Sequence, residues 1–169
     1  MRARLLLALS VLVPTLAVGC GPISYAQSPQ RIDGRTVYVE MPTIAVPDQR
    51  IDAAKTCQEI HDLAIDYLKR YGYEPASDPS MASLTLRAEI ANFHLGSTAA
   101  RVWVGAGQSW HETTIVIRPR GLSENTGYRR AEVAAGAYSN YKGDEAHRVA
   151  VCHEIAKMHV WIADKYIGR

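Results

Sequence analysis

The sequence lacks the motifs that most enzyme chemistry needs. It has no G-x-S-x-G elbow, and Ser97 has no recognisable base partner. Gly105-Ala106-Gly107 lacks the third glycine of a dinucleotide loop, no GK[ST] follows, and the next stretch reads as a strand. These glycines therefore read as a hairpin or bulge that needs positive φ. His153-Glu154 opens a near miss of H-E-x-x-H, because Lys157 stands where the second histidine belongs. His153 and His159 are six apart and face different sides of a helix. No internal repeat is present.

Metal-ligand spacing is also poor. Cys57 and His61 are one helical turn apart, a workable pair. Cys152 and His159, however, are about 10 Å apart along a helix axis. Cys152 and His153 are adjacent and diverge by about 100°. Neither a metal nor a cofactor is expected.

Charge excess is missing too. The chain has 19 Lys+Arg and 17 Asp+Glu. Without Arg2 and Arg4 of the leader the two signs balance, so no basic surface calls for a nucleic acid. A charged fraction of 21% is ordinary for a folded chain, and 47% hydrophobic residues in 169 suit one domain with a true core.

What is present begins with a targeting signal. Arg2 and Arg4 form a basic head, and residues 5–13 are an uncharged apolar run followed by Pro14. Extended to Val18, the run stays short of the ~20 residues of a bilayer span. Ala17-Val18-Gly19-Cys20 reads as a lipobox, with Cys20 lipidated after cleavage. Gly21 then points to the outer membrane. The rival site is Ser24-Tyr25-Ala26, which would release a soluble periplasmic or secreted domain beginning at Gln27, with a ligand-binding or inhibitory role. The expected organisation is a signal peptide over 1–19, a lipidated cysteine and tether over 20–34, and a single domain over 35–169.

The remaining two cysteines, Cys57 and Cys152, would share an oxidising compartment. Both fall on predicted helices, so a disulfide between them is expected, with two buried free thiols as the alternative.

Periodicity supplies the fold. Residues 35–41 alternate as a strand, and Pro42 and Pro47 bracket a loop. Ala53, Cys57, Ile60, Ala64, Leu68 and Tyr71 form one apolar stripe on a helix over 49–71, with Asp48 as its cap and Gly72 as its stop. Leu84, Leu86, Ala88 and Ile90 alternate as the clearest strand, and the phase breaks at Asn92-Phe93 as at a bulge. Further strands are expected over 110–117 and 130–137, with a turn-forming loop over 119–127. The last helix carries Val151, Ile155, Met158, Ile162 and Tyr166. The expected class is α+β: a two-layer sandwich, a mostly antiparallel sheet of about four strands in the order β-α-β-β-β-α, and two helices on one face.

The stretch from Leu84 onward also resembles a family. Tyr71-Gly72-Tyr73 closes the helix, and Ala82 leads into Leu84-Thr85-Leu86-Arg87-Ala88-Glu89-Ile90. Phe93, Gly96-Ser97, Ala100-Arg101 and Val104-Gly105-Ala106-Gly107 follow, and later the Thr126-Gly127 turn. This pattern resembles the DUF4410 family of uncharacterised bacterial envelope proteins, many of them lipoproteins, over roughly residues 35–167. Gln108 to Glu112 is more polar than the family's continuation. The resemblance implies an envelope location and brings no catalytic residues. By fold analogy, the architecture is similar to small α/β domains of envelope assembly lipoproteins.

Arg101, Val102, Trp103 and Val104, an apolar-aromatic tract among glycines, form the candidate contact surface, for a partner or the membrane interface. The plainer reading keeps Val102 and Val104 in the core. The sequence thus predicts a non-enzymatic envelope lipoprotein with a binding or assembly role, anchored in the outer membrane and facing the periplasm. Its partner would be an unidentified envelope protein.

Overall fold

A computed structural model of the chain describes residues 32–97, 109–120 and 143–167, and the backbone of 126–133. Among the described residues six strands form one sheet: β1 (Thr36–Val39), β2 (Thr43–Pro47), β3 (Glu74–Pro75), β4 (Leu84–His94), β5 (Trp110–Pro119) and β6 (Thr126–Val133). Two helices accompany it, α1 (Ala53–Arg70) and α2 (Asp144–Ile167). The sheet runs β3-β1-β4-β5-β6, and β2 also pairs with β4.

The sheet corrects the expected fold class. Three of its pairings are parallel, β1 with β3, β1 with β4 and β2 with β4. Only β4–β5 and β5–β6 are antiparallel. The fold is therefore α/β, not a mostly antiparallel α+β sandwich. The physical reason lies in the first crossover. Helix α1 carries the chain back along the sheet, so β4 starts at the same end as β1 and runs beside it. Alternation shows which side chains face inward and is blind to strand direction.

Two strands were missed. β2 falls where Pro42 and Pro47 predict a loop. β1 pairs with Leu84–Leu86 and β2 with Glu89–Phe93, so the two are successive pieces of one path along β4. The Glu40 N–H still donates to the Leu86 carbonyl at 2.8 Å. Pro42, which has no N–H, marks the interruption. β3 has two residues, too short for periodicity to show. β6 starts at Thr126, inside the expected turn loop, because Gly127 pairs with Val116. The predicted bulge is present, as a register shift between Ile90 and Asn92.

One sheet face is covered. Val37, Val39, Leu84, Leu86, Ala88, Ile90, Ile115 and Ile117 are buried in one cluster with Ile60, Ala64 and Leu68 of α1 and Val151, Ile155 and Ile162 of α2. The opposite face carries charge: Arg87 pairs with Glu89 and, at 3.6 Å, with Glu40, and Glu40 also accepts from Arg118 at 2.8 Å. Of the expected α1 stripe, Tyr71 is instead half exposed at the C-cap. Among the described residues, no helix is long and apolar enough to cross a membrane.

These connections give the domain two ends. Both helices start at the end where β4 finishes, and both finish where β4 starts. At 1.5 Å per residue, the 24-residue α2 separates the ends by about 36 Å. The chain enters at the second end, where the Ile32 N–H donates to the Tyr166 carbonyl at 2.9 Å.

Candidate functional site

The end remote from Ile32 is held by one side-chain knot. Asp48, expected to cap α1, does not. Asp52 takes that role, accepting from the Lys55 N–H at 3.0 Å. Asp48 instead accepts from the Arg50 N–H at 3.0 Å, from Arg50 Nε at 2.8 Å and Nη2 at 2.7 Å, and from the Leu95 N–H at 3.0 Å. Its side chain is only 6% exposed. The Arg50 hydrogen bonds, helped by the Leu95 N–H and working against burial, hold its carboxyl well below the usual carboxylate range. The same contact raises the Arg50 guanidinium.

Arg50 reaches further. Nη2 donates to the Gly96 carbonyl at 2.7 Å, and Nη1 to Asp144 Oδ2 at 3.2 Å. Gly96 sits at φ +70°, a conformation that suits glycine, and this turns its carbonyl toward the guanidinium. Three pieces of chain meet here: the β2–α1 loop, the end of β4 and the start of α2.

A second fastening lies beside the first. Ser109 Oγ lies 3.0 Å from the Leu95 carbonyl and 3.0 Å from His147 Nδ1. Both residues are buried. The pair fastens α2 to the sheet.

Leu95–Ser97 and Ser109 are the two flanks of segment 98–108. That segment contains Arg101, Val102, Trp103 and Val104, which lie outside the described residues, as does Cys20. Next to the flanks, His94 and Trp110 stack on the uncovered face, ring centroids 5.7 Å apart and planes within 11°. Trp110 remains 37% exposed. Sequence reading missed Asp48, Arg50, His94 and Trp110 as a group. The cross-strand register of His94 and Trp110 could have paired them once the hairpin was drawn. Nothing in the sequence linked Asp48 to Leu95.

The expected disulfide is not formed. Cys57 and Cys152 are free buried thiols. Burial pushes the Cys152 thiol up to about 12 and raises Cys57 as well. Cys152 Sγ instead lies 3.7 Å from Arg148 Nη1. Arg148 is itself a buried tie between the helices, donating to Glu59 of α1 at 2.6 Å and to Glu145 at 2.7 Å. Protonated, buried thiols exchange slowly, so these two behave as core side chains.

His153 is accounted for by Tyr67, whose hydroxyl lies 3.0 Å from its Nδ1 across the helix pair. His159 is fully buried, with Nδ1 3.1 Å from the Ile155 carbonyl and Nε2 without a partner. Burial, opposed by the Ile155 and Ala156 backbone and aided slightly by His61, lowers it to about 4. Among the described residues, no three metal-ligating side chains converge.

No protein-family model matches the chain, and no curated protein does. Solved structures do resemble it. The PelC dodecamer from Paraburkholderia phytofirmans superimposes with a TM-score of 0.50 at 11% identity, covering 80% of this chain and 96% of that one. XCC0632 from Xanthomonas campestris, described as DUF330, gives 0.49 at 8% identity, covering 83% and 90%. A minor lipoprotein from Acinetobacter baumannii gives 0.38 at 10% identity, covering 76% and 92%. At such identities the likeness concerns the fold, and of these three only the PelC subunit reaches 0.5. The DUF4410 resemblance therefore rests on its quoted residues alone.

Proposed function

We propose that this chain is a non-enzymatic bacterial envelope lipoprotein that binds or assembles with other envelope proteins through the end remote from its anchor. The observation that carries this reading is the Asp48–Arg50 knot. It fixes both the β2–α1 loop and the exit of β4 against the start of α2. Buried, charge-assisted hydrogen bonds at a loop base are a costly way to stabilise a fold and a good way to hold a loop in position. Segment 98–108, which contains Arg101, Val102, Trp103 and Val104, follows Ser97 and precedes Ser109 at this same end.

Cys20 supplies the anchor in this reading, and the tether joins the domain at Ile32. Segment 98–108 leaves and rejoins the described residues about one α2 length from that junction, which favours a protein partner over the bilayer for residues 101–104. A second copy of this chain is one such partner. The PelC subunit, which shares the fold, forms a dodecamer.

Metabolic labelling with palmitate tests the anchor. Label is expected on the wild-type chain and absent from Cys20→Ala. An unlabelled wild-type chain whose N-terminus is Gln27 would replace this reading with the soluble domain cut after Ala26.

A further inference from the structure

We infer that the end of the domain where the chain enters is itself a membrane-docking surface, with a cationic groove for anionic phospholipid headgroups. This rests on the lipoprotein reading and adds a second, non-covalent membrane contact to it. The groove has a volume of about 320 Å³ and is lined by Pro79, Ser80, Ala82, Thr85, Arg118 and Arg120. It opens beside the point where the tether joins. Gly34 lies so close to Ser83 that a Cβ there would stand 2.3 Å from the Ser83 hydroxyl. Ser83 in turn accepts the Arg120 N–H at 2.9 Å. Exposed apolar surface lies at the same end: Met81, next to the lining residue Ser80, is 64% exposed, and Tyr71 is half exposed at the end of α1, following Lys69 and Arg70.

Each feature has an interfacial use. Arginines near an anionic leaflet are attracted to it, each strengthening binding about fivefold. An exposed methionine and tyrosine can enter the headgroup layer. The tether makes such weak contacts effective. The twelve residues from Cys20 to Ile32 span roughly 40 Å at most, so the lipid anchor keeps this end of the domain within that distance of the bilayer. Confinement near the surface then turns modest headgroup affinity into stable docking. Arg118 also pairs with Glu40, and its side chain stays 42% exposed, which leaves it accessible from the groove.

The test uses the full lipidated chain in vesicles, with Met81→Cys carrying a polarity-sensitive dye. Acylation occupies Cys20, and Cys57 and Cys152 are buried, so position 81 takes the label. A blue shift is expected in vesicles containing phosphatidylglycerol and not in pure phosphatidylcholine. Arg118→Ala with Arg120→Ala should lower the docked-to-undocked ratio about tenfold or more. Lys at both positions should retain docking, which separates charge from any folding defect. Equal emission in both vesicle types, with palmitate present on Cys20, overturns the inference and leaves the anchor standing. Loss of docking on adding inorganic phosphate at constant ionic strength also overturns it, assigning the groove to a free anion. An unacylated Cys20 removes both readings.

Discussion

Asp48→Ala is expected to cost roughly 3 kcal/mol of stability, a large effect for a residue outside any helix or strand. The substitution strips Arg50 of its principal acceptor and removes the carboxylate that accepts from the part-buried Leu95 N–H. Arg50 is 35% exposed, so water takes up part of the loss and keeps the cost below that of a fully buried pair. Asp48→Asn retains one carbonyl acceptor and should fall between wild type and Ala. Urea unfolding should show a lower midpoint with unchanged slope, since the surface buried in the core is the same. A change under 0.5 kcal/mol would mean that the knot holds nothing.

His159→Leu should make the protein less sensitive to acid. The folded protein protonates His159 only near pH 4, whereas the unfolded chain does so near 6.5. Between these values the unfolded state binds more protons, so stability is complete above pH 6.5 and falls as the pH drops toward 4. The gap corresponds to roughly 3 kcal/mol at its lower limit. Leucine removes the titration and also the unpartnered Nε2, at similar volume. Asp48 does not confuse the comparison. Its folded-state value is depressed, so its contribution is present above the ordinary 3.8 and fades only at more acid pH. Thermal melts at pH 7 and pH 4.5 should diverge for wild type much more than for His159→Leu. Parallel losses in both proteins would place the acid sensitivity elsewhere.

The sequence showed what faces the core and showed little of what joins distant pieces. Ile60, Ala64 and Leu68, and Leu84, Leu86, Ala88 and Ile90, announce themselves because burial imposes a period on them. Strand direction leaves no such trace, so the parallel β1–β4 pairing was misread even though a helix stood between the two strands. Pro42 and Pro47 read as loop punctuation, yet Thr43–Pro47 pairs along β4. Asp48 reads as the helix cap, yet it binds its neighbour Arg50 and the distant Leu95 N–H, and Asp52 takes the cap. Compartment and cysteine parity favoured a disulfide, although neither carries information about where two sulfurs lie. Arg118 and Arg120 stand two residues apart on a strand end and become a groove only when Pro79 and Ser80 close over them.

The central claim is the polarity of the domain, with its anchor at one end and its contact at the other. A photo-crosslinking residue at position 103, compared with one at Met81, tests it in intact envelopes. Protein-sized adducts are expected from position 103, lost when Arg50→Ala unfastens the exit of β4 from the start of α2, and lipid adducts from position 81. Protein adducts from position 81 together with lipid adducts from position 103 would contradict it.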